Sequence, residues 1–183
     1  MSRARETIEL FREPIRIRRA GAGDNVLLAE IGAETFHDTF AADNTPEDMA
    51  TYLSESFGPE RQALELADPA SMFLIAESGN RTLGYARLTW GPSPLEVGGT
   101  RPMDIARFYV RPAWIGRGVA RVLMEACLDE ARLAQSDVIW LTVWEHNHRA
   151  IAFYAKWGFV AAGDVIFMLG NDSQRDLLLK RSV

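Results

Sequence analysis

The sequence predicts an α/β domain in which helices cover both faces of a mixed β-sheet. Three observations carry that prediction. The hydrophobic patterns run in the order strand, helical stretch, three-strand meander, helix, strand, helix, strands. The segment from Asp104 to Trp144 reads as strand, glycine turn, helix and strand, a crossover unit whose two strands should lie parallel. The chain has 183 residues, enough for one core of good size and short for two.

Residues 1–13 read as a polar extension, and 14–183 as the domain. Pro14 to Arg19 alternates, with Ile15 and Ile17 on one face, and predicts the first strand. Gly21-Ala-Gly23 is a turn, and Asp24 or Asn25 caps a helix from Val26 to about Phe40. Thr45 is a good N-cap, with Pro46 at the first helical position, for a second helix to about Phe57. Gly58-Pro59 separates it from a third, Glu60 to Ala67.

Met72–Glu77 and Leu83–Trp90 form a β-hairpin around Gly79-Asn80. Gly91 to Pro102, rich in proline and glycine, is a loop. In the next strand, alternation puts Phe108 and Val110 on one face and Ile105, Arg107 and Tyr109 on the other. Arg111-Pro112 stops it. A helix to about Ala134 follows, then a β-branched and aromatic strand, Val138–Trp144. Asn147 caps a short helix that Gly158 ends near Trp157. Phe159–Ala162, Val165–Leu169 and Leu177–Arg181 supply the last strands.

Net charge is −5, but the charges are unevenly placed. Arg3, Arg5, Arg12, Arg16, Arg18 and Arg19 crowd the first twenty residues, whereas eleven acids lie between Asp24 and Asp68 with Arg61 as the only strong base there. That stretch is either a solvated set of helix faces or an acidic wall for a cationic ligand. The bases are not interleaved with stacking aromatics, which argues against a nucleic-acid partner. The longest apolar stretch is too short to span a bilayer, and no signal-type run opens the chain, so a cytoplasmic location is the default expectation. Cys127, the one cysteine, rules out an internal disulfide. His146, His148 and His37 lack zinc spacing, so no metal is expected. The tryptophans 90, 114, 140, 144 and 157 read as core or groove wall.

Gly116-Arg117-Gly118 lies between a strand and the start of a helix, where Val119, Val122, Leu123 and Ala126 set the helical period. Free N–H groups and the helix dipole point there together, which suits an anion. The dinucleotide fingerprint fails because position 121 is Arg, and the P-loop residues are absent. Taken alone, the turn is equally a tight connection with no ligand.

Arg107-Phe-Tyr-Val110, Ile115-Gly-Arg-Gly-Val-Ala120 and the Trp144-to-Phe159 segment resemble the GCN5-related N-acetyltransferases. Glu34 to Phe40, Thr45 to Leu53, Met168-Leu-Gly and Gln174-Arg-Asp-Leu177 resemble the PaiA-type branch, which acetylates spermine and spermidine. The resemblance implies a mostly antiparallel sheet of about seven strands, split in a V between strands 104–110 and 138–144. It implies acetyl transfer from acetyl-CoA to a primary amine, here a polyamine. Backbone groups of Phe108 and Val110 would hold the pantetheine arm as an added strand. The amides of Gly116, Arg117, Gly118, Val119, Ala120 and Arg121 would hold the pyrophosphate. Ile115 stands where the family usually has Gln or Arg. Asn147 would cap its helix and contact the arm, and Lys156 would either reach a CoA phosphate or be solvated.

The chemistry needs a neutral amine, a donor for the developing oxyanion and an acid for the leaving thiolate. The resemblance gives Tyr154 as the acid. Asp104 stands where the family often has a Glu base, one methylene shorter here, so a water relay is expected. Glu34, Asp38 and Glu145 are rivals for the base or contacts for the acceptor. Asp43, Glu47 and Asp48 would join the acidic attraction. The alternatives are a protein or peptide amine as acceptor, or a non-catalytic CoA-binding regulator. Relatives pair through terminal strands, which makes a homodimer the expectation.

Overall fold

The computed structural model of the chain describes residues 13–170 and 172–183. The Arg-rich extension lies almost wholly outside the described residues. β1 (Arg16–Arg19) is followed by α1 (Asn25–Phe40), α2 (Pro46–Phe57) and α3 (Pro59–Ala67). Then come β2 (Ser71–Ser78), β3 (Arg81–Trp90), β4 (Pro102–Val110) and α4 (Val119–Leu133). β5 (Val138–Trp144), α5 (His148–Lys156), β6 (Val160–Leu169) and β7 (Asp172–Ser182) complete the chain. The Thr45 hydroxyl accepts the Asp48 N–H at 3.2 Å, which starts α2 where the cap pattern placed it.

Seven strands form one sheet in the order β1-β2-β3-β4-β5-β7-β6. Only β4 and β5 pair in parallel. α4 and α5 pack on one face around Leu123, Met124, Ile139 and Leu179. α1, α2 and α3 cover the other, around Leu28, Ile31, Phe73 and Tyr85 and then Phe36, Met49 and Phe57. Among the described residues, no helix is long and apolar enough to cross a membrane.

β4 departs from simple alternation. Arg87 pairs with Arg107, but the next residue, Leu88, pairs with Ile105, so Ala106 is the extra residue of a β-bulge. The bulge shifts the parity of the strand. Ile105 therefore shares the α4 face with Phe108 and Val110, not the face of Arg107 and Tyr109. Arg107 turns instead to α3, where its guanidinium meets Glu65 at 2.6 Å. Glu65 is 4 % exposed and also binds Arg87 at 2.9 Å and Arg61 at 3.0 Å. A carboxylate that deep is tolerable because cations meet it from two strands and its own helix.

The last strands also differ from expectation. The two predicted strands Phe159–Ala162 and Val165–Leu169 merge into one, β6, which starts at Val160 and has an irregularity between Ala161 and Gly163. β7 begins at Asp172, five residues before Leu177. Its first half is polar and lacks the strand signature, but pairing with β6, joined by β5 from Asp176 onward, holds it extended.

Candidate active site

β4 and β5 pair at only three positions, Pro102 with Val138, Met103 with Ile139 and Asp104 with Trp140. Beyond Asp104, β4 stays with β3 up to Val110 while β5 stays with β7 up to Trp144. The sheet thus opens into a V. Its edges from Ile105 and from Leu141 onward face each other without a ladder between them, so each offers backbone donors and acceptors to an extended ligand.

A cleft of about 1290 Å³ fills this V. Phe108 and Val110 line it from β4, and Gly116, Gly118, Ala120 and Arg121 line it from the turn and the start of α4. Asn147, Tyr154 and Lys156 line it from α5 and its cap. The Asn147 side chain accepts the Ala150 N–H at 3.2 Å, so its capping role holds.

Gly116 and Gly118 have φ of 77° and 88°, a left-handed conformation that L side chains resist. A Cβ at either would meet nothing within 4 Å, so backbone conformation, and not crowding, asks for glycine. No side chain caps α4, and the amides of its first turn have no intrahelical acceptor. Val119 does not line the cleft, because its side chain is fully buried in the core. Arg117 departs from expectation. Its N–H is turned inward onto the Trp114 carbonyl at 3.3 Å, and its guanidinium stacks 5.8 Å from the Trp114 ring centroid. It does not line the cleft, because the turn consumes its amide.

Tyr154 is 7 % exposed and packs against Phe108 and Phe159, with centroids 6.1 and 5.7 Å apart. Burial, with Cys127 nearby, pushes its phenol further above the ordinary value. Its hydroxyl therefore stays protonated at neutral pH.

Asp104 is in a different place. It lines a second, smaller cavity of about 350 Å³ with Arg87, Thr89, Trp90 and Trp140, and Ala106 is the residue the two cavities share. Burial raises its carboxyl to about 7, opposed by the Thr89 hydroxyl at 3.4 Å and by Arg87. The bulge explains the placement, since it puts Asp104 on the face of Arg107 and Tyr109 at the closed end of the V.

Of the three carboxylates expected at the acceptor, only Asp38 lines the cleft. Glu34 is held by Arg111 at 2.7 Å, and Glu145 by Arg175 at 3.2 Å. Both are paired with arginines outside the lining, half-buried Arg111 and exposed Arg175, which corrects their assignment. Asp43 lines the cleft with Asp38; Glu47 and Asp48 do not.

The structure adds residues that the pattern did not reveal. Phe36 and Phe40 of α1, Tyr52 of α2, Trp144 of β5 and Phe167 of β6 form connected aromatic contacts at the end of the cleft beneath α1 and α2, with centroids 4.5 to 5.7 Å apart. Gln174 and Asp176 of β7 lie with them in the cleft. Gln174 donates to Asn44 at 2.7 Å and ties the end of α1 to the sheet. These residues sit in the polar half of β7, so the signal that would have found them is the alternation Gln174, Asp176, Leu178.

The sheet thus splits beyond its parallel pair, with an uncapped glycine turn at the mouth of the cleft and the Tyr154 phenol inside it. The acetyltransferase (GNAT) family profile matches residues 34–159, and the chain belongs to this family. An uncharacterized N-acetyltransferase from the pepI 3' region of Lactobacillus delbrueckii subsp. lactis is 36% identical over 153 residues, 84% of this chain and 88% of that protein. The fold resembles the PaiA N-acetyltransferase of Thermoplasma acidophilum in complex with coenzyme A. That likeness has a TM-score of 0.74 at 18% identity and covers 93% of this chain and 99% of the other. It also resembles yncA of Salmonella typhimurium, determined with acetyl-CoA, with a TM-score of 0.64 at 21% identity over 92% and 94% of the two chains.

Proposed function

We propose that this acyltransferase moves the acetyl group of acetyl-CoA to a primary amine of a polyamine such as spermidine or spermine. The observation that carries the reading is the cleft itself. One end offers unpaired backbone from β4 and the Gly116–Gly118 turn, and the other offers carboxylates among aromatic rings. The first end suits an extended pantetheine arm and a pyrophosphate. The second suits a cation on an apolar stem.

The acceptor nitrogen attacks the acetyl carbonyl carbon after one proton has left its ammonium. Asp104 is the base in this reading, reached through water past Ala106, and a carboxyl raised to about 7 by burial accepts a proton near neutrality. Collapse of the tetrahedral adduct breaks the C–S bond. The thiolate takes the Tyr154 proton, and the second nitrogen proton returns to the Tyr154 oxygen through solvent. The net reaction is ammonium plus thioester giving amide, free thiol and one released proton.

The test is thiol release from acetyl-CoA with spermidine, spermine, amino acids and a lysine peptide. Turnover is expected to be fastest with the polyamines. A preference for the lysine peptide would move the acceptor to protein amines. Acetyl-CoA binding without turnover on any amine would make the chain a CoA-binding regulator.

A further inference from the structure

Asp176 is the buried carboxylate of the acceptor end. The residue is 8 % exposed, and its Oδ1 has no hydrogen-bond partner among the described residues. A buried oxygen left this way is rare in a folded protein, because its lost hydration has nothing to offset it. The position is set by pairing. Asp176 stands opposite Trp144 on β5 and Val165 on β6, so it shares a face with the Trp144 and Phe167 rings. Phe40 packs on Trp144 at 5.7 Å, and Tyr52 on Phe167 at 5.5 Å. Asp38 and Asp43 also line the cleft, but both are exposed and therefore screened. Asp176 is sheltered by rings, and a charge there acts at lower effective dielectric.

We propose that Asp176 is the binding carboxylate for the acceptor's ammonium group, with the Phe40, Tyr52, Trp144 and Phe167 rings walling its alkyl stem. The proposal rests on the amine-acetyltransferase reading above and sharpens it to acceptors that present an alkylammonium. The physical reason is complementarity in two parts. Asp176 lines the cleft, so a cation entering it meets the carboxylate charge that burial leaves poorly solvated. The ring faces attract the same cation and exclude water from the pair, which offsets part of its desolvation. Burial raises the Asp176 carboxyl to about 6, opposed by Thr142, so it is ionised and ready for a cation at neutral pH.

The experiment titrates the protein, without acetyl-CoA, with n-butylammonium and with its neutral counterpart n-butanol, reading tryptophan fluorescence. Wild type should show a saturable change with butylammonium and little with butanol. Asp176→Asn keeps the side-chain shape and removes the charge, and should weaken butylammonium at least about tenfold, as loss of a charged hydrogen bond does. Asp176→Ser serves as a second uncharged variant if Asn disturbs β7, with melting temperature and acetyl-CoA affinity as the folding checks. In turnover, the same substitution should raise KM for spermidine by a similar factor and change kcat much less. Equal butylammonium binding by wild type and a folded uncharged variant, or equal binding of butanol and butylammonium, overturns the proposal. Absence of thiol release with every amine would instead refute the enzymatic reading, while the titration would still decide the role of Asp176.

Discussion

The two ends of the cleft are built from different materials. The end beside α4 is mostly backbone: the open edge of β4, the left-handed glycines and the uncapped start of a helix. The end beneath α1 and α2 is mostly side chains, drawn from α1, α2, β5, β6 and β7. A backbone site tolerates change in side chains, so Ile115 can replace a polar residue without removing a donor. A side-chain site depends on which residues the fold brings together, and in the proposed reading it selects the acceptor.

Tyr154→Phe gives the largest expected effect, since it acts where the two ends meet. Turnover should fall by about a hundredfold or more, the range of a lost general acid, while acetyl-CoA affinity stays near wild type. Steady-state rates and a direct binding titration separate the two. An unchanged kcat would remove Tyr154 from the chemistry.

Gly118→Ala tests the backbone end. Forcing a Cβ into φ of 88° costs about 1–2 kcal/mol, and because the space around it is open, the only relief is a shift of the turn. Acetyl-CoA should bind about tenfold more weakly, with KM for the amine at saturating acetyl-CoA little changed. A larger effect on the amine than on acetyl-CoA would show that the two ends are not separate.

Asp104→Asn tests the carboxylate that lies at neither end. Burial lifts its carboxyl from 3.8 to about 7, so the folded protein holds this proton more tightly than the unfolded chain does. That contribution to stability is complete below the unfolded value and is lost as pH rises toward 7. The melting temperature of wild type relative to the variant should therefore fall by a few degrees between about pH 5 and pH 8. If Asp104 is also the base, kcat of the variant loses its rise through about pH 7. A variant that melts in parallel with wild type at every pH would contradict the burial argument.

Salt should have the smallest effect. Asp38 and Asp43 are exposed, so added salt screens their pull on a polyamine, and KM for spermidine should rise about two- to fivefold from low to high ionic strength. A KM that ignores salt would leave Asp176 and the rings as the whole acceptor site.

Local signals were legible in the chain. Thr45 with Pro46, Asn147 and Gly158 mark helix ends through their own backbone chemistry, and those ends stand where the pattern placed them. The strand–glycine turn–helix unit was legible for the same reason, since a positive φ leaves its mark in the residue type. The bulge at Ala106 was not, because alanine is neutral to it and the extra residue shows only in the pairing with β3. That one residue moves Ile105 to the other face and decides what Asp104 touches.

The sequence by itself determined the order of the elements and the strand–glycine turn–helix unit, because each depends on neighbours within a few residues. Tertiary structure alone decided which carboxylates line the cleft. Glu34 and Glu145 lie in promising local contexts but are claimed by Arg111 and Arg175. Asp176 lies just before the predicted last strand, and only pairing with β5 and β6 turns it into the cleft. The reason is physical: the state of a carboxylate depends on the charges and burial around it, and these come from residues distant in the chain.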